Sequence, residues 1–257
     1  MTAGAAQAGC DASPDACEVA TGTYHIVLPE AKNPPAVLWL HGAGGSGAGA
    51  VRNTGMVNAW TDRGFAFIAA DGLPRPGRSN SSWSFHPERP KVRDEPTFFA
   101  QIKADAAANH GIDPDRVILA GFSIGGSMTS YVACDQPDLF AAYAPVGGSF
   151  WRPHPVECAG PVRLFHTHGW RDTTVPLEGR PLGGGVIYQG DVWHAMEIWR
   201  ATNDCPQLRP DGFDMSDTFW RRVWTECSAG SALEFALHPG AHGIPRGWSA
   251  MIMDWFE

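Results

Sequence analysis

The sequence predicts an α/β fold with a mainly parallel central sheet and helices on both of its faces. Two observations carry that prediction. The first is a series of short, unbroken apolar runs that end in glycine or a polar residue: "AVLWLHG" (36–42), "FAFIAAD" (65–71), "RVILAGFS" (116–123), "AAYAPVGG" (141–148), "VRLFHTHG" (162–169) and "LEFALHPG" (233–240). A strand covered on both faces has no solvent side, so it reads as a continuous apolar run and does not alternate. The second is that segments of helical period fall between these runs, and strands alternating with helices build parallel sheets by crossover connections.

Taken in order, "GTYHIVLP" (22–29) alternates and is expected as an edge strand. Residues 94–109 place Phe98, Phe99, Ile102 and Ala106 on one helical face. Residues 124–134 open on two glycines and turn helical, and 191–202 and 248–256 form the later helices. A chain of 257 residues holds one large α/β domain, expected over 22–257, with 1–21 as an N-terminal segment that is partly flexible. The formal net charge of -8 argues against nucleic acid and anionic membrane surfaces as partners, and no apolar run is long enough for membrane insertion. The stretch "AAQA" before Cys10 looks like the small-residue end of a secretory signal whose apolar region has been removed, which points to a secreted or periplasmic protein. A lipidated Cys10 fits less well, because Gln7 stands where such signals carry leucine.

Six cysteines without a Cys-x-x-Cys pair fit disulfides and an oxidising compartment better than a zinc site. Sequential pairing (Cys10–Cys17, Cys134–Cys158, Cys205–Cys227) closes local loops, but spacing alone leaves other pairings open.

In open parallel sheets the chemistry sits in loops at the carboxyl ends of the strands. The residues that follow the apolar runs form a set of one kind. "GFSIGG" (121–126) fits G-x-S-x-G between a buried strand and a helix, the setting of a nucleophile elbow, which makes Ser123 the candidate nucleophile. "LHGAGGSG" (40–47) is a glycine-rich loop with no Gly-Lys-Ser/Thr, so it suits an oxyanion hole better than a phosphate site. The expected donors are the backbone N–H groups of Ala43 and Ile124, with His41 as a structural hydrogen-bonding residue. Asp172 follows the strand 162–169 and precedes Val175-Pro176. It falls between Ser123 and the C-terminal histidines, in the chain order serine, acid, histidine. Asp191, Asp204 and Asp214 compete, but are expected in helical or irregular stretches. Of His238 and His242, the first ends a strand. The second lies on a loop beyond Pro239-Gly240, where its ring can bridge a serine and an acid, so His242 is the candidate base. His166 and His168 share a strand face, but with no third histidine nearby no metal is implied, and His168 is expected to brace the loop. No cofactor is implied either.

"LHGAGGSG", "ADG" followed by "SSWSF", "GIDPDRVILAGFSIGGSM", "YVACDQPDLFAAYAPVGG", "HGWRDTTVP" and "GAHGIPRG" occur in that order. Together, from about Gly22 to the C-terminus, they make the chain resemble the secreted polyhydroxybutyrate depolymerase-like esterases and the feruloyl esterases related to them. The resemblance implies an α/β-hydrolase fold, a serine carboxylic ester hydrolase working through an acyl-enzyme, and a histidine at the place of His242. It also implies disulfides at Cys134–Cys158 and Cys205–Cys227. The expected partner is an ester, either a small molecule or a polymer fragment, with plant-wall aromatic esters and hydroxyalkanoate oligomers foremost. Trp83, Trp170 and Trp151 are candidate walls of the substrate pocket. An acyltransferase, a peptidase or an inactive binding protein on the same fold are the alternatives. Peptidases of this fold usually carry an additional propeller or lid domain.

Overall fold

The computed structural model describes residues 10, 15–216 and 218–257. Most of the N-terminal segment 1–21, including the leader-like stretch before Cys10, lies outside the described residues. In chain order the elements are β1 (Cys17–Val19), β2 (Gly22–Val27), β3 (Ala36–Leu40), α1 (Gly47–Val51), α2 (Thr54–Thr61), β4 (Ala66–Ala70), β5 (Leu73–Pro74), β6 (Ser81–Ser82) and α3 (Glu95–His110). They continue as β7 (Val117–Phe122), α4 (Ile124–Asp135), β8 (Ala142–Val146), β9 (Trp151–Arg152), β10 (Arg163–Gly169), β11 (Pro181–Leu182), β12 (Ile187–Gln189), α5 (Val192–Thr202), β13 (Gly212–Met215), β14 (Trp220–Trp224), β15 (Ala232–His238) and α6 (Trp248–Phe256).

The main sheet runs β1-β2-β4-β3-β7-β8-β10-β15-β14-β13. Its middle, from β4 to β15, is parallel throughout. Each apolar run of the sequence becomes one of these middle strands, and β3, β4 and β8 are buried at every position. Alternate residues face opposite ways, so the sheet separates two cores. Leu38 and Leu40 join a core with Phe98, Phe99 and Ile102 of α3 and Trp199 of α5. Val37 and Trp39 join the other, where Trp60 of α2, Phe65 and Trp248 of α6 meet edge to face. The face expected for the helix at 94–109 is the buried one: Phe98, Phe99, Ile102 and Ala106 are all fully enclosed.

Three details differ from expectation. β2 is not an edge strand, because Cys17–Val19 pairs antiparallel along its outer side. Two short helices, α1 and α2, follow the glycine-rich loop, started by the side chains of Ser46 and Asn53 accepting from Gly49 N and Met56 N. Asp214, expected in a helical or irregular stretch, lies in β13, where its carboxylate pairs with Arg221 at 2.7 Å. β13 and β14 extend the sheet antiparallel beyond β15 and keep Phe213, Met215 and Trp220 exposed, so the sequence there lacks the apolar run of a middle strand.

The structure contains three disulfides, Cys10–Cys17, Cys134–Cys158 and Cys205–Cys227. No helix among the described residues is long and apolar enough to cross a membrane.

Candidate active site

Four strand ends meet at one edge of the sheet. Ser123 stands between β7 and α4 with φ 58° and ψ -121°. A side chain in that region costs about 1–3 kcal/mol and persists only where the surroundings impose it. Here the Ser123 N–H donates to Val146 O at 3.0 Å, and its carbonyl accepts from Ser127 N at 2.9 Å. The turn is tight enough that a Cβ on Gly121 would strike the backbone of Gly125, and one on Gly125 would lie 2.7 Å from the Leu40 carbonyl carbon. Glycine is therefore demanded at both positions of the motif.

β10 and β15 pair in parallel with Gly169 opposite His238, so the loops after them leave the sheet side by side. They are tied together: Trp170 N donates to His238 O (2.7 Å), Arg171 N to Gly240 O (3.0 Å) and Arg171 Nε to Pro239 O (2.7 Å). This clamp sets Asp172 against His242. Asp172 Oδ2 lies 2.7 Å from His242 Nδ1, and His242 Nε2 lies 3.0 Å from Ser123 Oγ. A carboxylate only accepts, so Nδ1 carries the proton toward Asp172 and Nε2 is left to accept from the serine hydroxyl. Asp172 Oδ1 accepts from the N–H groups of Thr174 (2.9 Å) and Val175 (2.8 Å). Burial pushes the Asp172 carboxyl up, but the bonds from His242 and Val175 and the neighbouring histidines outweigh it and hold it below the ordinary aspartate value. The Phe122 ring packs on the His242 imidazole at 4.7 Å between centroids.

Behind Asp172 runs a chain of buried histidines. His168 Nε2 meets Val175 O at 2.7 Å, and His166 Nε2 meets His168 Nδ1 at 3.1 Å. Because a carbonyl can only accept, His168 is protonated on Nε2. Its Nδ1 then accepts, which puts the His166 proton on Nε2 as well. Burial lowers the pKa of both rings and keeps them neutral. His168 thus holds the carbonyl of the residue whose N–H binds Asp172. His238 is also buried; its Nδ1 accepts from Gly240 N at 3.1 Å and helps turn the chain out of β15.

In the glycine-rich loop, His41 Nε2 accepts from Gly72 N (3.0 Å), so Nδ1–H donates to Gly42 O (2.8 Å). Desolvation lowers its pKa. Gly44 N donates to Ser81 O (2.9 Å) and Gly45 N to Gly42 O (3.0 Å), whereas no acceptor among the described residues takes the N–H of Ala43 or Ile124. Ile124 N opens helix α4, where the helix dipole favours negative charge.

The three candidate tryptophans stand differently. Trp83 is 1% exposed and donates from Nε1 to His41 O at 2.9 Å. Trp151 is 6% exposed and donates to Ser127 Oγ at 3.2 Å. Trp170, 55% exposed, projects from the end of β10 beside the Asp172 turn. Sequence reasoning did not single out the Arg93–Glu95 ion pair, buried at 2.8 Å, whose guanidinium also donates to Asp71 O at 3.0 Å. That pair anchors the loop after β4, and Asp71 in turn accepts from Gly47 N at 2.7 Å at the start of α1. Among the described residues the one cluster with metal-ligand spacing is Cys10, Cys17 and His110, and both of its cysteines are in a disulfide.

Ser123 follows a central strand of a mainly parallel sheet, with Asp172 and His242 on the loops after β10 and β15, and the chain has the α/β-hydrolase fold. The model of the prolyl oligopeptidase family matches residues 53–151. The chain is 28% identical to an acetylxylan esterase of Coprinopsis cinerea, over 74% of this chain and 57% of that protein. It is 30% identical to poly(3-hydroxyalkanoate) depolymerase C of Paucimonas lemoignei, over 70% of this chain and 43% of that protein. It therefore spans about half the length of the curated relatives it matches. The solved acetyl xylan esterase from Aspergillus awamori superposes with a TM-score of 0.69 at 18% identity, covering 91% of this chain and 93% of that one. The names of the two curated relatives, an acetylxylan esterase and a poly(3-hydroxyalkanoate) depolymerase, agree with the resemblance read from the motifs.

Proposed function

We propose that the chain is a secreted or periplasmic serine carboxylic ester hydrolase, with Ser123 as nucleophile, His242 as general base and acid, and Asp172 as the residue that orients and stabilises the imidazole. One observation carries the proposal: His242 bridges Asp172 at 2.7 Å and Ser123 at 3.0 Å, each through a different ring nitrogen. The esterase relatives and the three disulfides support it.

The proposed cycle follows from that geometry. Ser123 Oγ attacks the ester carbonyl as its proton passes to His242 Nε2, and the imidazolium is stabilised by the Asp172 carboxylate, which stays ionised. The oxyanion lies on the free N–H groups of Ala43 and Ile124, where losing one donor typically costs about 3–4 kcal/mol. His242 returns the proton to the leaving alcohol, and water then repeats the sequence on the acyl-enzyme. Trp170, exposed beside Asp172, is the candidate wall on the histidine side of the cleft. Trp83, bonded to His41, and Trp151, bonded to Ser127, are buried.

The test is hydrolysis of p-nitrophenyl butyrate by wild type and Ser123→Ala. The expected result is turnover in the wild type and a kcat lower by roughly a millionfold in the variant. Equal rates in the two proteins would remove the mechanism. The prolyl oligopeptidase family match over 53–151 favours amide cleavage as the second outcome. A peptidyl p-nitroanilide cleaved faster than any ester in the panel would select it.

A further inference from the structure

A cavity of about 220 Å³ lies under the loop between β4 and α3, lined by Arg75, Pro76, Trp83, Ser84, His86, Arg89, Pro90 and Val92. Two contacts link its lining to the candidate site, whose own residues do not line it. Trp83 is bonded to the carbonyl of His41, and the next residue is Gly42, where an added Cβ would lie 3.5 Å from Ser123 Cβ. The His86 ring lies edge-on against Trp151 at 5.8 Å, and Trp151 bonds Ser127, one helical turn beyond Ser123.

The polar groups of this cavity are donors without acceptors. His86, 5% exposed, accepts from Glu88 N on Nδ1 at 3.2 Å, so its proton sits on Nε2. That Nε2–H is buried and has no partner among the described residues. Ser84 Oγ accepts from Val92 N at 3.0 Å, which leaves its hydroxyl hydrogen free to turn inward. Arg75 is half-buried, with its guanidinium 5.9 Å from the Phe85 ring, Arg89 is exposed, and neither guanidinium makes an ion pair or hydrogen bond among the described residues. The two guanidiniums repel each other, and burial and that repulsion both lower the pKa of Arg75. The Glu88 carboxylate is close enough to act on His86, but it pairs with neither arginine. Buried donors and charges are normally satisfied, and leaving them unmade is expensive. The half-buried Arg75 and exposed Arg89 guanidiniums and the Ser84 hydroxyl, beside Pro76, Pro90 and Val92, match an organic anion, with the carboxylate on the arginines and the carbon skeleton on the prolines and valine.

We infer that this cavity is a subsite for a carboxylate carried by the ester, so that the protein favours esters with a second, free acid group. The inference rests on the ester-hydrolase proposal for the link to turnover, but not for binding. Two measurements separate them. Benzoate, titrated calorimetrically, is expected to bind the wild type and to lose about tenfold or more in affinity in Arg75→Gln/Arg89→Gln, as charged hydrogen bonds are removed. Benzamide is expected to bind neither protein well. In a pH-stat assay, the ratio of kcat/KM for monomethyl adipate to that for methyl hexanoate is expected to fall by about tenfold or more in the same variant. Arg75→Lys/Arg89→Lys, which keeps the charges, should retain most of the preference, and matched thermal midpoints would show that the variants are folded. No binding of benzoate by the wild type, or the same adipate-to-hexanoate ratio in wild type and the Gln variant, would overturn the subsite while leaving the hydrolase untouched. Benzoate binding that depends on the arginines, in a protein whose Ser123→Ala variant still turns over esters, would do the reverse.

Discussion

At the scale of residues, Asp172 does two jobs with two oxygens: Oδ1 holds the turn through Thr174 and Val175, and Oδ2 holds His242. Asp172→Asn keeps the volume but presents an amide that favours the wrong imidazole tautomer. Stopped-flow or steady-state assays with p-nitrophenyl butyrate should show kcat reduced roughly ten-thousandfold with the fold retained. The His166–His168 pair offers a separate check, because both protons are assigned to Nε2 by the hydrogen bonds alone. Nitrogen NMR of the two rings should report neutral Nε2–H forms at neutral pH, with titration, where seen, below the ordinary histidine value. Titration of either ring near its ordinary value would contradict the assignment. His168→Ala frees the Val175 carbonyl that steadies Asp172; kcat is expected to fall by about tenfold with little change in KM, and His168→Gln, whose amide can still donate, should recover part of it.

At the scale of elements, the elbow depends on strand β7, helix α4 and strand β3 approaching more closely than a Cβ permits. Gly125→Ala would press a methyl into the Leu40 carbonyl and push α4 outward. The expected outcome is loss of most activity together with a lower melting temperature, readable by circular dichroism and an ester assay on the same sample. The helix α6 shows the opposite dependence, on bulk. Trp248 fills the space between Trp39 and Trp60 and donates to Thr167 Oγ1 at 3.1 Å. Trp248→Ala should cost about 3–5 kcal/mol in denaturant unfolding.

At the scale of the molecule, stability should fall in acid for a specific reason. His41, His86, His154, His166, His168 and His238 all have pKa values lowered by burial. Their folded-state values lie below the unfolded ones, so the unfolded chain binds more protons as the pH drops through the ordinary histidine range. Their contribution is full above that range and is lost below it. Asp172, also depressed, adds a further loss lower down, below the ordinary aspartate value. Urea midpoints measured from neutral to mildly acidic pH should decline, and His166→Leu should decline less steeply than wild type. The Cys205–Cys227 bridge closes a loop of sequence separation 22 that ties α5 to the strand pair ahead of β15. Replacing both cysteines by serine should lower stability by about 2–4 kcal/mol.

What the sequence determined by itself was whatever depends on local pattern. Unbroken apolar runs mark strands covered on both faces, Phe98, Phe99, Ile102 and Ala106 mark one helical face, and glycines around Ser123 mark a turn that no other residue can make. Chain order and loop position were enough to prefer Asp172 and His242 as candidates over their neighbours. The outer strands were not legible, because β13 and β14 expose Phe213, Met215 and Trp220 and so lack an inward apolar run. Pairing across the sheet belongs to the tertiary structure alone. The register that sets Gly169 opposite His238 brings the two loops together, and no spacing along the chain encodes it. The same holds for burial of polar groups. That Trp83 and Trp151 lie inside while Trp170 stands out, that His166 and His168 form a neutral chain, and that Arg75, Arg89 and His86 share one cavity without an acid partner all follow from which distant segments pack against them. Periodicity records how each residue faces its own element, whereas the surroundings of a side chain are supplied by elements far away in sequence.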